Sequence, residues 1–269
     1  MSFRNEFIVK PGGKVRLADR DPGNTLDYLS KEKARAELRK QVQRLAELQY
    51  LLYAENRRAV LIVLQAMDAG GKDGAIRHVM SGLNPQSCRV TSFKQPTAEE
   101  LGHDFLWRIH RATPRKGEIG IFNRSHYEDV LVVRVRDLAP KAVWSKRYEA
   151  INQFERVLAD EGTVVLKFFL HISKEEQLER FRDRLSDPTK HWKVSPGDFE
   201  ERKRWPAYMK AFEDALSKCS TGHAPWFVIP ANRKWFRDLA IIRIIIEALE
   251  GLDMKFPKPQ YDLSKIVVE

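Results

Sequence analysis

The chain has 269 residues, enough for one large α/β core with attached segments, and its 43% hydrophobic and 31% charged residues are typical of a soluble globular protein. Its 47 Lys and Arg against 37 Asp and Glu give a net charge of +10, which predicts an anionic partner such as nucleic acid, an acidic membrane surface or a phosphate-rich substrate. Two distant cysteines without CxxC spacing argue against a disulfide framework or a zinc site. The N-terminus has no apolar core of signal-peptide length, so we expect a cytoplasmic protein.

Residues 1–57 are predicted to be an N-terminal arm followed by an amphipathic helix. The first 29 residues hold several Pro and Gly without sustained periodicity, so they predict an irregular arm. After residue 31, leucine and valine recur at steps of three and four, at Leu38, Val42, Leu45, Leu48 and Leu52. This spacing is that of a helix with one apolar face.

Strands and helices then alternate along residues 58–250. The apolar run AVLIVLQA predicts a buried parallel strand, and further strands are predicted at RVTSF, IGIFN, TVVLKFFLHI and WFVIP. Helices are predicted between them at about residues 98–111 and 144–158, and after them at about 235–249. Such alternation favours a parallel sheet covered on both faces, with residues 251–269 as a tail.

The stretch QAMDAGGKDGAIRHVM leads from the first strand into a helix. Gly70 and Gly71 allow backbone N–H groups to approach a phosphate, the helix offers its positive end, and Lys72 adds a charge. Against the pattern G-x-x-x-x-G-K-[ST], however, the first glycine is Ala66 and the hydroxyl position is Asp73. The pattern is half met, so a tight glycine turn with a solvated lysine is the alternative to a phosphate site.

Asp68 puts an acid into this otherwise anion-binding loop. Mg²⁺ is held by one or two carboxylates together with phosphate oxygens. Asp68 is therefore the candidate metal ligand. The alternative is that it caps the following helix, a common use of aspartate.

A second motif, IGIFNRSHYEDV, ends an apolar strand with Asn123 and Arg124. Phosphate-binding enzymes normally place an acid for Mg²⁺ at this strand end, whereas here an amide stands there. Arg124 remains a candidate phosphate ligand because its planar fork suits phosphate oxygens. The alternative is that Arg124 and His126 are ordinary surface residues.

A third motif is the charged stretch ERFRDRLSDPTKHWK, which begins an interruption of the strand and helix order. Arg180 and Arg184 share one helical face, and Lys190 and Lys193 follow closely. We predict a basic lid at about residues 174–205 that excludes water from a phosphate site. The alternative is a solvated charged face with weak ion pairs.

Together, DAGGKDG, FNRSHYEDVLV and DPTKHWK resemble the motifs of the family-2 polyphosphate kinases in order and spacing. The resemblance implies a P-loop NTPase-like three-layer α/β/α sandwich with a parallel sheet and a helical lid. It also implies a homo-oligomer, a dimer or a tetramer, and phosphoryl transfer between inorganic polyphosphate and a nucleotide with Mg²⁺ or Mn²⁺. No nucleic acid and no membrane are expected as partners.

Asn123 departs from the aspartate of many family members and, with Glu128, resembles the subgroup that phosphorylates nucleoside mono- and diphosphates. The resemblance thus implies conversion of AMP to ADP and of ADP to ATP, with GMP and GDP as further acceptors. We interpret the amide as a weak Mg²⁺ ligand that lets the ion follow either acceptor, while Glu128 supplies the missing charge.

The resemblance also assigns roles residue by residue. It implies catalytic roles for Asp68, Lys72, Asn123 and Arg124, with Asp68 as metal ligand and with Asn123 and Glu128 at the nucleotide acceptor. The residues implied to bind phosphate or polyphosphate are Ala69, Gly70, Gly71, Lys72, Asp73, Gly74, Arg180, Arg184, Lys190 and Lys193.

The chemistry of such a reaction is consistent with these residue types. A nucleotide phosphate oxygen is largely ionised at neutral pH because its second pKa is near ~6, so no general base is required. Two rival functions remain, an ATP-dependent kinase of a small metabolite and a basic nucleic-acid-binding module. The second is less favoured because Trp107, Trp144 and Trp235 lie on apolar helical patterns and are predicted to be core residues.

Overall fold

The computed structural model describes residues 2–266 and contains a five-stranded sheet. The strands are β1 (Ala59–Ala66), β2 (Cys88–Ser92), β3 (Ile119–Asn123), β4 (Thr163–His171) and β5 (Trp226–Pro230). They pair in the order β2-β3-β1-β4-β5, and every pair is parallel. The carboxyl ends of β1, β3 and β4 therefore meet at one edge of the sheet. Residue 1 of the predicted arm and residues 267–269 of the predicted tail lie outside the described residues.

Helices connect and cover the strands. The α-helices are α1 (Phe3–Phe7), α2 (Lys31–Glu55), α3 (Lys72–Val79), α4 (Ala98–Leu101), α5 (Trp107–His110), α6 (Val132–Val135), α7 (Lys141–Asp160), α8 (Lys174–Ser186), α9 (Pro196–Lys203), α10 (Trp205–Cys219) and α11 (Lys234–Glu250). Short 3₁₀ helices cover Leu17–Asp19, Pro85–Ser87, His126–Val130, Pro188–Lys193 and Leu263–Lys265. Within residues 2–266 no helix is both long and apolar enough to cross a bilayer.

Alternate side chains of β1 enter two separate apolar clusters. Val60 and Ile62 pack with α2, α3 and α11, whereas Leu61 and Val63 pack with α7 and α10. All four side chains are fully buried, and each buried aliphatic side chain contributes about 1.5–3 kcal/mol to stability. This arrangement confirms the predicted three-layer α/β/α sandwich with a parallel sheet.

The N-terminal segment is more regular than its sequence predicts. The predicted amphipathic helix is confirmed as α2, which Ser30 caps by accepting the N–H of Lys33. The prediction of an irregular arm is wrong for α1, because Phe3 and Phe7 are buried there against Phe236 of α11. A five-residue helix is too short to show the periodicity that identifies a helix in a sequence.

The single helix predicted at about residues 98–111 is also wrong, because the chain forms α4 and α5 with a break between them. Gly102 ends α4, and Asp104 Oδ1 accepts the N–H of Leu106 at 2.9 Å. This side-chain bond offers the backbone an alternative to the helical bond. The segment therefore turns before α5 begins.

The three tryptophans predicted to be core residues are half-buried instead. Trp144 and Trp235 pack at the margins of the two apolar clusters. Trp107 stacks on His103 with ring centroids 4.0 Å apart. Their positions on apolar helical patterns indicated contact with the core but overestimated its depth.

Candidate active site

The loop after β1 has a backbone that requires glycine at two consecutive positions. A Cβ on Gly70 would lie 2.4 Å from the Ala66 Cβ, and Gly71 has a left-handed φ of +99°. Ala69 is also left-handed, with φ at 59°. The eight-residue helix α3 then begins without a side-chain cap. Its first N–H groups are therefore available to an anion.

Lys72 is half-buried rather than solvated, in contrast to the alternative drawn from its sequence. Its Nζ donates to the Ala66 carbonyl at 3.2 Å, across the loop. Burial, and then the charge of Arg124, lower the pKa of Lys72. An ammonium that is short of solvent and of acceptors binds a phosphate oxygen more strongly than an exposed one.

Asp68 does not cap α3, because Gly71 occupies the cap position. Its Oδ1 instead accepts a hydrogen bond from an Arg124 guanidinium N–H at 3.1 Å. Its backbone carbonyl accepts another from Gln177 Nε2 of α8 at 2.9 Å. Asp68 thus joins the loop to the end of β3 and to α8, and the capping alternative is wrong.

The end of β3 lies beside the first turn of α3. Asn123 Nδ2 donates to Asp73 Oδ1 at 2.8 Å. Arg124, with a left-handed φ of 64°, directs its guanidinium to Asp68. His126 is fully buried, so the alternative that it is a surface residue is wrong.

A buried network supports the turn that follows Arg124. Glu155 of α7 accepts the Tyr127 hydroxyl at 2.9 Å and contacts His126 Nε2 at 3.1 Å. Lys167 of β4 donates to both Glu155 and the Tyr127 hydroxyl. The side chains of Glu155 and Lys167 are both 0% exposed, and the charge of each offsets the free-energy cost of burying the charge of the other.

Replacement of Glu155 by glutamine is expected to lower the free energy of unfolding by about 3–5 kcal/mol, because Lys167 would be left as an unpaired buried charge. Urea denaturation measures the change. Glu161→Gln, at the exposed end of the same helix, is the matched control and should change little. A change below about 1 kcal/mol for Glu155→Gln would contradict this account of the network.

Residues 174–205, called the lid segment, form α8, a 3₁₀ helix and α9 above the loop. Arg180 is buried and donates to the Ala69 carbonyl at 2.9 Å and to the Asn232 carbonyl at 3.3 Å. It therefore joins the loop to α8 and to the segment that follows β5. Arg184 pairs with Asp198 within the segment at 3.4 Å. The arginines therefore fix the position of the lid segment and are more than a solvated face.

The two lysines of the lid segment lie nearer to solvent. Lys190 pairs with Asp187 at 2.7 Å, with its side chain about half exposed. Lys193 Nζ lies 3.9 Å from Asp73 Oδ2, across the gap between the lid segment and the loop. Both ammonium groups remain accessible to a long anion in that gap.

These elements enclose a large basic cleft of about 710 Å³, which we call the larger cleft. Ten Lys or Arg against four Asp line it, so its charge favours a polyanion. The predicted site residues that line it are Asp68, Ala69, Gly70, Gly71, Lys72, Asp73, Gly74, Asn123, Arg124, Arg180, Arg184, Lys190 and Lys193.

A second cavity of about 230 Å³, the smaller cavity, adjoins the larger cleft. Glu128, a predicted acceptor residue, lines the smaller cavity and not the larger cleft. Asp68, Arg124 and Asp198 line both. A group bound in one cavity can therefore meet a group bound in the other beside these three side chains.

Several residues that line the larger cleft were not predicted from the sequence, among them Arg237, Lys234 and Asp198. Arg237 of α11 is 1% exposed and lies under the loop, and Lys234 of the same helix lines the larger cleft. Asp198 of the lid segment has a raised pKa because of its burial and, second, the carboxylate of Asp68. In the sequence, the signal for Arg237 was its position next to Asp238 within the otherwise apolar stretch KWFRDLAIIRIIIEAL, where charged residues are unexpected.

The oxygen donors of the larger cleft fit a magnesium ion. Asp68, Asp73 and Asn123 line it with carboxylate and amide oxygens. Across the described part of the chain, no group of three or more His, Cys, Asp or Glu could hold a metal by itself. Mg²⁺ needs only one or two carboxylates when phosphate oxygens and waters complete its shell.

Comparison with known proteins identifies the family. The family model described as Polyphosphate kinase 2 (PPK2) matches residues 28–257. An AMP/ADP-polyphosphate phosphotransferase of Meiothermus ruber is 53% identical over 98% of this chain and 99% of its own. An ADP-polyphosphate phosphotransferase of Rhodopseudomonas palustris is 48% identical over 94% of this chain and 92% of its own.

The structural comparison gives the same result. The crystal structure of polyphosphate kinase 2 from Arthrobacter aurescens TC1 has a TM-score of 0.94 and 45% identity, and the match covers 98% of this chain and 94% of that one. The predicted resemblance is thereby confirmed, because the family model covers well over half of the sequence. The chain belongs to the polyphosphate kinase 2 family.

Proposed function

We propose that this protein transfers phosphoryl groups from inorganic polyphosphate to AMP and to ADP in the presence of Mg²⁺, for which Mn²⁺ substitutes. GMP and GDP are further acceptors, and the protein works in the cytoplasm as a homo-oligomer, a dimer or a tetramer. The observation that carries the proposal is the meeting of a basic cleft and a second cavity at Asp68 and Arg124. The larger cleft takes the polyphosphate chain and the smaller cavity takes the acceptor phosphate.

In the proposed reaction, positively charged side chains bind the phosphate groups and stabilise the charge on the group in transfer. Lys72 binds the donor phosphates from the loop, and Arg124 binds the group in transfer between the two cavities. Asp68 holds the guanidinium and would, together with phosphate oxygens, hold the Mg²⁺ ion, which would offset charge on the transferring group. The attacking phosphate oxygen is already ionised, so no side chain has to remove a proton.

The acceptors are inferred from Glu128 and from the relatives. Glu128 lies in the smaller cavity beside Arg124, where it limits how deeply a second anion can enter. The Meiothermus ruber relative, at 53% identity, is named for both AMP and ADP, whereas the Rhodopseudomonas palustris relative, at 48%, is named for ADP. The higher identity to the first supports acceptance of both.

The rival functions fit the site less well. A nucleic-acid-binding module presents its cations and aromatic side chains on an open groove, whereas here the cations line a cleft under the lid segment. A metabolite kinase that uses ATP needs the same loop but not a cleft lined by ten Lys or Arg.

A panel of acceptors tests the proposal. Purified protein is incubated with polyphosphate, Mg²⁺ and one of AMP, ADP, GMP or GDP, and the nucleotides are separated by ion-exchange chromatography. Parallel reactions omit polyphosphate or replace it with ATP. The proposal requires products that depend on polyphosphate. Phosphorylation that depends only on ATP would favour the metabolite kinase.

Charge reversal at Lys190 and Lys193 is expected to raise the KM for polyphosphate about tenfold, because both lysines line the larger cleft that takes the chain. The difference from the unaltered protein should shrink at high salt, where exposed charges are screened.

Lys203→Glu is the matched control for the lid lysines. Lys203 lies in the same lid segment and pairs with Glu200, but it does not line the larger cleft. We expect it to leave the KM for polyphosphate unchanged. An effect of Lys203→Glu as large as that of either single reversal would show that net charge alone matters, and an unchanged KM in the paired reversal would remove both lysines from chain binding.

A further inference from the structure

Asp73 and Asn123 occupy the two positions at which a P-loop site usually presents side chains to a divalent cation. In the usual arrangement a Ser or Thr hydroxyl follows the loop lysine, and an aspartate ends the neighbouring strand. Here Asp73 follows Lys72, and Asn123 is the last residue of β3. The acid, Asp73, therefore stands where a neutral side chain is usual, and the neutral Asn123 stands where an acid is usual. The two positions together still hold one carboxylate.

The two side chains are bonded to each other. Asn123 Nδ2 donates to Asp73 Oδ1 at 2.8 Å, although the residues are 50 positions apart in the chain. An amide can donate this bond, whereas a carboxylate at position 123 would place two negative charges in contact. Asn123 at the end of β3 is therefore a better neighbour for Asp73 of α3 than an aspartate at the same position would be.

The rest of the Asp73 carboxylate faces the larger cleft. Its side chain is 69% exposed, so its second oxygen is accessible to a bound ion or water. That oxygen, Oδ2, lies 3.9 Å from Lys193 Nζ of the lid segment. One oxygen is thus fixed by the strand end, and the other forms a long ion pair with Lys193 that a bound cation would replace.

We propose that Asp73 binds the divalent cation with the carboxylate that is missing from the end of β3, and that Asn123 holds this carboxylate in place. The two residues, which we call the exchanged pair, together replace the hydroxyl and the aspartate of the usual arrangement. The role of the ion in transfer rests on the proposed function. On this proposal the missing charge comes from Asp73, which lines the larger cleft, whereas Glu128 lines the smaller cavity.

Exchange of the two residues tests the pair. Binding of Mn²⁺, alone and in the presence of a short polyphosphate chain, is measured by electron paramagnetic resonance for the full-length protein, for Asp73→Asn, for Asn123→Asp and for the variant that carries both substitutions. Transfer from polyphosphate to ADP is measured in parallel. Asp73→Asn should lower both Mn²⁺ affinity and transfer at least about tenfold, and Asn123→Asp should lower transfer by a similar factor.

The double variant should recover both quantities to within about threefold of the unaltered protein, because the amide at position 73 can then donate to the carboxylate at position 123. Asp73→Ser with Asn123→Asp recreates the usual hydroxyl and acid and should recover likewise. Asp160→Asn, on the exposed end of α7, is the control for removal of one acid. Thermal unfolding midpoints identify variants that fail to fold.

Two results would overturn the inference: unaltered Mn²⁺ affinity in Asp73→Asn, or folded double variants that are no better than the weaker single variant. Failure of the proposed function looks different. In that case the unaltered protein itself would transfer nothing from polyphosphate, while the Mn²⁺ measurements would still decide whether the pair exchanges.

Discussion

Removal of the Lys72 or Asp68 side chain by alanine substitution is expected to lower transfer from polyphosphate by about 100-fold or more, with the fold intact. Lys72 is half-buried and bonded across the loop to Ala66, which fixes its ammonium at the loop. Asp68 lies where the two cavities meet and bonds to Arg124, so its loss removes the proposed ion ligand and frees the guanidinium.

Steady-state kinetics with ADP and polyphosphate measure this loss as kcat and KM. The expected fall is in kcat, because both side chains act most strongly on the charge that develops during transfer. Lys255→Ala removes an exposed lysine that is distant from the cleft and should change neither constant. If Lys72→Ala and Asp68→Ala are both folded and retain near-normal turnover, the loop has no part in the chemistry.

Gly71→Ala is expected to lower transfer by about 100-fold, because a shift of ~1 Å at a reacting group has an effect of that size. The new Cβ would lie 2.1 Å from Arg237 Nη1. Arg237 cannot retreat easily, since it is buried and bonded to Asp238 by two N–H groups, at 2.8 and 2.6 Å. The loop must move instead, and the backbone N–H groups that are proposed to bind phosphate move with it.

Gly12→Ala separates this clash from the backbone strain. Gly12 is also left-handed, with φ at +74°, but a Cβ there meets nothing within 4 Å. Both substitutions should cost about 1–2 kcal/mol of stability through the left-handed backbone, and only Gly71→Ala should lose transfer. Comparable transfer rates for the two variants would show that the loop does not need to lie against Arg237.

The sequence predicted the elements whose residues repeat regularly. The apolar run of β1 and the three-and-four spacing of α2 depend only on local side chains and identified both elements correctly. The glycine loop was found because few other residues adopt its backbone. The break between α4 and α5 was missed because it follows from one side-chain bond, that of Asp104 to the Leu106 N–H.

The contacts of the candidate site were harder to predict, because they join distant parts of the chain. The bond between Asn123 and Asp73 depends on the placement of β3 beside β1, and no local pattern contains it. Arg180 and Arg184 were both predicted to bind phosphate in a lid. Arg180 is buried with its N–H groups on loop carbonyls, a position that helical spacing alone could not distinguish from that of Arg184.

Formation of ADP from AMP with polyphosphate as the sole donor tests the central claim most directly. Purified protein, Mg²⁺, polyphosphate and AMP are combined with a bisubstrate inhibitor of adenylate kinase, and nucleotides are followed over time by ³¹P nuclear magnetic resonance. Lys72→Ala protein, prepared in the same way, controls for contaminating enzymes. We predict that ADP appears first and ATP follows, while the Lys72→Ala sample forms neither. Formation of ATP from added ADP, without any ADP from AMP, would contradict the proposal that this site accepts both nucleotides.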